Sequence, residues 1–558
     1  MTDDNLAKKC LGEKKRWSVM VYLAGGTDVS DEARESLLRM KHVGSTDNIH
    51  VIAQFDSGSE GTFTKRYYLS PFKDALGIDT LLKQACAEVP AALKPYDSMA
   101  GTYYCQRMRE SLSENQKARM ARLQTGEWIE LLKYSPDRFK NLILNCILEE
   151  DLYPRPSGNP GYTNAGDPRV LVEFLRWAKV RYPADHYMVV LWGHGNGLSV
   201  AWDYPSLPFV GPGDALTAQE LLLAFENDDP EFQKEENEFR KEGWDSSKEA
   251  AEYRPGVDII GFNSCSLGTI EVYRQLLGRA KFGIASEGFT PKTSWPYDKI
   301  LKALDDAPDM EAKEFAERIV EEYIRYYEGP VKTAEEYRKI SRRVRRLGAN
   351  LDLNKGPDLN KGPDLNKGPD LNKGPDLNKG PDLNKGPDLS TQGNLERGGV
   401  DLSVCDLSES VKVCTAMKKL TEDLNAALDA QPCNNAVFGA ILGAHAISQS
   451  YFNRDFTDLH DFCRALENIC SVEEIKDDCK LVMSAIKTMC TSPGHFGDDV
   501  RNSNGVSIFF PWSDWGEDDA IARYEGLEFL KATGWNDFLK KYRKLADDFE
   551  KKTGVFAC

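Results

Sequence analysis

The chain has 558 residues, with 71 Lys and Arg against 88 Asp and Glu, a formal net charge of −17. That balance excludes a general nucleic-acid binder, whose domains are basic, and no apolar run approaches the roughly 20 residues that cross a bilayer. At 41% hydrophobic and 28% charged residues, the composition is that of a globular protein with chain enough for two or more domains.

Met1 to Lys15 is polar and lacks the apolar stretch of a signal peptide, which predicts a cytoplasmic protein with neither membrane nor nucleic acid as partner. The 13 cysteines are scattered, odd in number and without a Cys-x-x-Cys pair. Reduced, mostly buried thiols fit this better than disulfides or a metal site, so no metal ligands are assigned.

The first strand is Ser18 to Ala24, ending in Gly25-Gly26-Thr27-Asp28. A helix follows with Ser30 as its N-cap and Asp31 and Glu32 in its first turn, where the dipole favours acids. Ile49 to Phe55 is a second strand, which completes a βαβ unit and implies a parallel sheet. Residues from about 70 to 140 mix helical patterns with prolines and read as an insertion, and Leu142 to Leu148 is a strand or a short buried helix. Asp167 then caps a helix with Pro168 in its first position and Leu171, Phe174, Leu175 and Ala178 on one face.

Two stretches share one form. Tyr187 to Trp192 is a short buried strand that runs into Gly193-His194-Gly195-Asn196-Gly197. Val257 to Phe262 is another, and it breaks into Asn263-Ser264-Cys265-Ser266. Between them lie a capping box, Thr217 with Glu220, and a charged loop at 228–254. After Cys265 come a helix face (Ile270, Tyr273, Leu276, Leu277) and a strand from Lys281 to Ser286.

Glu311 to Arg346 is helical and ends in a run of cations that reads as a solvated helix end, with a processing site ahead of a linker as the sharper alternative. From Asp352 to Pro387 the hexapeptide Asp-Leu-Asn-Lys-Gly-Pro repeats six times. One apolar residue per unit, beside Gly and Pro, cannot build a core, so 349–395 reads as a linker. Order resumes with a strand at Val400 to Leu407, helices over Val411 to Leu428 and Phe452 to Leu466, a strand at Gly505 to Pro511 and a last helix carrying Trp535, Phe538, Leu539, Tyr542 and Leu545.

In a parallel sheet, ligands bind beyond the carboxyl ends of the strands. Two neighbouring strands ending in His194 and Cys265 would hold an imidazole beside a thiol. A thiolate is a strong nucleophile, and the imidazole can generate it and later protonate a leaving amine. Cys265 ahead of a helix N-terminus predicts a lowered thiol pKa, with the N–H groups of Gly195 and Cys265 as oxyanion donors. The Gly193-x-Gly195-x-Gly197 run lacks the spacing, helix and acidic residue of a dinucleotide fingerprint.

These residues resemble the clostripain family of cysteine peptidases, which have a caspase-like fold. The resemblance rests on Trp17 to Asp28, Asn164 to Gly197, Asp258 to Leu267, Ser286 to Tyr297, Asp401 to Leu407 and Gly505 to Pro511. It implies an α/β fold, a caspase-like three-layer sandwich around a mostly parallel sheet with a smaller α+β C-terminal region. It also implies His194 and Cys265 as the catalytic dyad, cleavage after a basic residue of protein or peptide substrates, and self-cleavage between His and Cys. Calcium enters as a requirement of some relatives; otherwise no cofactor is expected.

The sequence departs from the family pattern in three ways. Asn263 stands where relatives carry an Asp that binds the basic side chain, an export signal is missing, and the hexapeptide spacer is added. Asn263, Ser286 and Glu287 are the residues expected to line the specificity pocket, with Glu287 as a substitute carboxylate. Lys234, Arg240, Lys241, Lys248 and Arg254 are the self-cleavage points on offer. The domain plan is a polar tail (1–16), a catalytic domain (17–348), the linker (349–395) and a C-terminal region packed on the catalytic domain (396–558). The competing reading is a caspase-like peptide-binding scaffold with weak or no catalysis.

Overall fold

A computed structural model describes residues 12–57, 64–91, 135–148, 163–203, 214–225, 256–328, 399–430, 435–451, 454–512 and 524–553, with scattered positions between 107 and 152. The charged loop at 228–254, the basic run from Arg338, the whole linker at 349–395 and the first eleven residues lie outside them.

The strands in chain order are β1 (Lys15–Ala24), β2 (Ile49–Asp56), β3 (Lys65–Tyr68), β4 (Ala184–Trp192), β5 (Ser199–Asp203), β6 (Asp214–Thr217), β7 (Val257–Asn263), β8 (Ala280–Ala285), β9 (Val400–Asp406), β10 (Ser450–Tyr451), β11 (Phe456–Asp458), β12 (Cys490–Phe496) and β13 (Ser507–Phe509). Eight of them form one sheet in the order β12-β9-β8-β7-β4-β1-β2-β3. The five central strands, β8, β7, β4, β1 and β2, run parallel; β3 joins β2, β9 joins β8 and β12 joins β9 through antiparallel pairings at the two sides. Every residue of β2 and β7 is buried, as expected of parallel strands covered on both faces.

The helices on one face are α1 (Ser30–Val43), α2 (Ala75–Ala91) and α3 (Pro136–Leu148), which pack together through Leu38, Ile78, Leu82, Ile143 and Ile147. The segment Leu142 to Leu148 is therefore helical. On the opposite face lie α4 (Pro168–Arg181), α5 (Ala218–Ala224) and α6 (Ile270–Gln275). Next come α7 (Tyr297–Asp306) and α8 (Ala312–Glu328), which share a core with α1 through Leu37, Ile300, Leu304 and Ile319. The last are α9 (Ser410–Asp429), α10 (Asn435–Ile447), α11 (Leu459–Ile469), α12 (Glu473–Met489), α13 (Glu528–Thr533) and α14 (Trp535–Thr553). Two cores, one on each face of a mostly parallel sheet, make the three layers expected of a caspase-like fold.

Several local expectations hold. Asp167 accepts a hydrogen bond from the Arg169 N–H with Pro168 in the first turn, and the Thr217–Glu220 capping box is complete. Others are corrected. Ser30 does not cap α1: Val29 holds that place, and the Ser30 hydroxyl donates to Ser57 O at 3.0 Å. The helical pattern read from Phe452 begins only at Leu459, because β11 pairs with β13 and Asp458 then caps α11.

The C-terminal region does more than pack beside the catalytic domain. Strand β9 pairs with β8, and β12 closes that side of the same sheet. Strands β9 and β12 of the C-terminal region are thus hydrogen-bonded into one sheet with strands β1 to β4, β7 and β8. A chain cut once within 349–395 is therefore expected to elute in gel filtration as a single complex under native conditions; two separately eluting fragments would contradict this continuity.

Candidate active site

The register of two parallel strands sets the site. Trp192 of β4 lies opposite Asn263 of β7, the last paired residues of both strands. His194 and Cys265 each follow two residues later, so their chains leave the sheet side by side at its carboxyl rim. The Gly193 N–H still bonds Asn263 O at 3.3 Å. Beyond that, the loops touch: a Cβ on Gly195 would lie 2.4 Å from Ser264 Oγ and 2.7 Å from Cys265 O. Only glycine fits at this approach. Both His194 and Cys265 line one open cleft with about 510 Å³ of empty space, together with Trp192, Asn263, Ser264, Phe289, Thr290 and Lys292.

His194 is buried, and its Nε2 meets Asp28 Oδ1 at 2.7 Å. A carboxylate only accepts, so Nε2 carries the proton and Nδ1 is left as the basic nitrogen. Asp28 follows β1, whose Leu23 is paired with Trp192. The His194 hydrogen bond lowers the Asp28 carboxyl from the ordinary 3.8 to about 2, with Lys292 3.5 Å from its other oxygen as a lesser cause. The sequence placed Asp28 at a strand end without giving it a task. The signal was the polar residue after Gly25-Gly26, on a strand adjacent to the one carrying His194.

Cys265 is buried, and its sulfur sits 3.4 Å from the Thr290 N–H that donates to it. Burial pushes the thiol up to about 11, against the lowering expected from a helix N-terminus. The physical reason is distance: α6 starts only at Ile270, capped by Thr269, so Cys265 lies outside its first turn. Ser266 instead takes a left-handed φ of 58° directly after the cysteine, a strained conformation for a non-glycine residue. Its N–H donates to Gly288 O at 2.8 Å, which ties the cysteine loop to the loop after β8.

Of the three pocket residues read from sequence, Asn263 alone lines the cleft, with its Nδ2 against Ser294 Oγ and Tyr297 Oη. Ser294 Oγ also accepts from Trp192 Nε1 at 2.9 Å. Ser286 and Glu287 are fully buried behind it and are not among the cleft residues. The Ser286 hydroxyl donates to Asp401 O at 2.6 Å, and Glu287 Oε1 accepts the Gly505 N–H at 2.6 Å. Glu287 faces Asp458 and Asp401, and burial beside these acids raises its carboxyl well above the usual range. Asp401 in turn accepts the N–H groups of Glu287 and Gly288. These carboxyls hold loops in place, and neither lines the cleft.

Among the described residues, no three His, Cys, Asp or Glu side chains stand together as ligands for a metal ion. Among the same residues no helix is long and apolar enough to cross a membrane.

A model of the clostripain family matches residues 156–221 and 245–341, one segment holding His194 and the other Cys265. Clostripain of Hathewaya histolytica is 27% identical over 165 residues, 27% of this chain and 26% of that protein, so the chain spans about a quarter of its curated relative. Among solved structures, a secreted C11 cysteine protease of Bacteroides thetaiotaomicron in complex with a peptide inhibitor aligns over 93% of this chain and 99% of its own, at 15% identity and a TM-score of 0.48. An inactive zymogen C11 protease of Parabacteroides distasonis covers 93% and 98%, at 12% identity and 0.45. The family model and the curated relative support the clostripain family.

Asp28→Asn is expected to cost under about 1 kcal/mol of stability at neutral pH, because the Asp28 side chain is 58% exposed and its pairs are screened. The folded carboxyl titrates near 2, below its ordinary 3.8. Its contribution is therefore whole above about pH 4 and lost as pH falls toward 2. Urea midpoints of the two proteins should converge across that window; a gap that stays constant to pH 2 would contradict the assignment.

Proposed function

We propose that this clostripain-family chain is a cysteine endopeptidase in which Cys265 is the nucleophile and His194 its general base and acid. The single observation that carries the reading is the contact between the two strand-end loops, with Gly195 against the Ser264 hydroxyl and the Cys265 carbonyl.

At neutral pH the buried thiol keeps its proton. Attack therefore needs a base in place. With Nε2 committed to Asp28, His194 Nδ1 takes the proton as Sγ adds to the scissile carbonyl. The resulting tetrahedral oxyanion is met by the N–H groups of Gly195 and Cys265. In support, the bond flanking the Gly195–Val200 bridge is donated by Asn196 to Ser199 O at 3.1 Å, so the Gly195 amide is not spent on that pairing. Collapse of the intermediate expels an amine that takes the proton back from His194 and leaves a thioester on Cys265. Water, deprotonated by the same imidazole, then releases the acid product. Asp28 holds the ring in the productive tautomer and stabilises the imidazolium. These steps use side chains and backbone alone, with no cofactor.

Substrates are proteins or peptides, cut after a basic residue. Self-processing belongs to the same reading, between α5 and β7, where the basic residues from Lys234 to Arg254 lie. The compartment that fits best is the cytoplasm, since the nine described cysteines are all free thiols, eight of them buried.

A thiol-reactive peptide probe tests the function. Labelling is expected in the wild type and in Cys405→Ala, to vanish in Cys265→Ala, and to slow by about 10²–10⁴-fold in His194→Ala. A wild type that takes no label, or a Cys265→Ala variant that labels as before, would overturn it and favour the scaffold reading.

A further inference from the structure

The cleft presents a charge problem. Asn263, at its floor, is neutral, and its amide group is already placed against Ser294 and Tyr297. Glu287 is buried elsewhere and bonded to Gly505. Asp28 is committed to His194. Among the described residues the carboxylate that lines the cleft is Glu32, in the first turn of α1.

Glu32 is mostly buried, with 23% of its side chain exposed, and its carboxyl is raised by desolvation. Its nearest cation is Lys292, on the loop that also carries Thr290, at 3.7 Å. The same ammonium is 3.5 Å from Asp28. Both separations exceed the 2.7–2.9 Å of a charge-assisted hydrogen bond. Lys292 thus neutralises two acids loosely and satisfies neither closely. Beyond a backbone amide of its own turn, a mostly buried carboxylate in that condition lacks a close cation, and a better-placed one would gain from replacing the resident.

We propose that Glu32 and Lys292 form the cation subsite of this cleft: the Glu32 carboxylate receives the basic side chain of the substrate, and Lys292 is the placeholder that this side chain displaces. The inference rests on the peptidase reading above and names where its specificity comes from. Displacement follows from charge: Glu32 is a single carboxylate, and two cations crowded on it would repel each other. The exchange also explains how a floor with Asn263 can serve a basic substrate. The charge enters from the α1 side of the cleft, so none is needed beneath it. Phe289, 39% exposed at the same rim, offers apolar surface to the methylene stem of the incoming side chain.

Peptidyl acyloxymethyl ketones with Lys or with Leu next to the reactive group test this, read as the ratio of their labelling rates at Cys265. The wild type is expected to favour Lys. Glu32→Gln should lower the Lys-to-Leu ratio by about 10–100-fold, the range expected for loss of a charged hydrogen-bond partner. Lys292→Met should raise the ratio, because the competitor is gone. A ratio unchanged in Glu32→Gln, including a variant that loses both labels together, overturns the subsite. A ratio that does not rise in Lys292→Met overturns the displacement. A wild type labelled by Leu but without preference for Lys sinks the inference alone, whereas a wild type labelled by neither sinks the peptidase reading first.

Discussion

The pairing of Trp192 with Asn263 is the constraint on which the site depends. Parallel strands in that register end level with each other, so equal steps beyond them bring residues 194 and 265 to the same height. A shift of one residue in either strand would turn its side chains to the other face of the sheet. The buried runs of β4 and β7 resist that shift, because it would move core residues such as Ile259, Ile260 and Phe262 out of their layers. The chemistry is therefore positioned by packing far larger than the site itself.

Around this pair the molecule accepts local costs. Ser266 and Ser294, on either side of the cleft, hold left-handed φ values of 58° and 67°. The thiol is buried to the point that its proton is hard to remove, and Ser264 Oγ is buried without a protein partner among the described residues. Such features persist where the surrounding structure over-determines them. Here the C-terminal region supplies much of that structure: Asp401 of β9 holds the amides of Glu287 and Gly288, and Phe456 closes against Gly197. The region across the hexapeptide linker is thus part of the frame of the site.

The parts of this legible in the sequence were those with a local signal. Two buried β-branched runs, each breaking into small polar residues, pointed to His194 and Cys265, and Asp167-Pro168 marked its helix by capping chemistry alone. What misled was spacing without depth. Glu287 sits two residues past β8, just as Cys265 sits two past β7, but its loop buries it against Asp458 and Asp401 and not in the cleft. The lowered thiol pKa failed because four residues, 266–269, separate Cys265 from Ile270, where the helix begins, and burial raises the thiol instead. Asp28 and Glu32 could not be singled out, since their meaning depends on α1 lying beside the cleft, a tertiary fact. The C-terminal region read as packing on the catalytic domain does so partly through a short apolar strand, Val400–Asp406, which pairs with β8 and continues the first sheet.

The central claim is that the Cys265 sulfur and the His194 imidazole act on one proton. Alkylation of Cys265 by iodoacetamide, followed by mass spectrometry across pH, measures this most directly in the wild type and in His194→Ala. The account predicts that the wild type reacts at least about tenfold faster near neutrality, with the variant catching up only as pH climbs toward the thiol's own high range. Superimposable rate profiles would contradict it, for they would mean that the imidazole does not reach the sulfur.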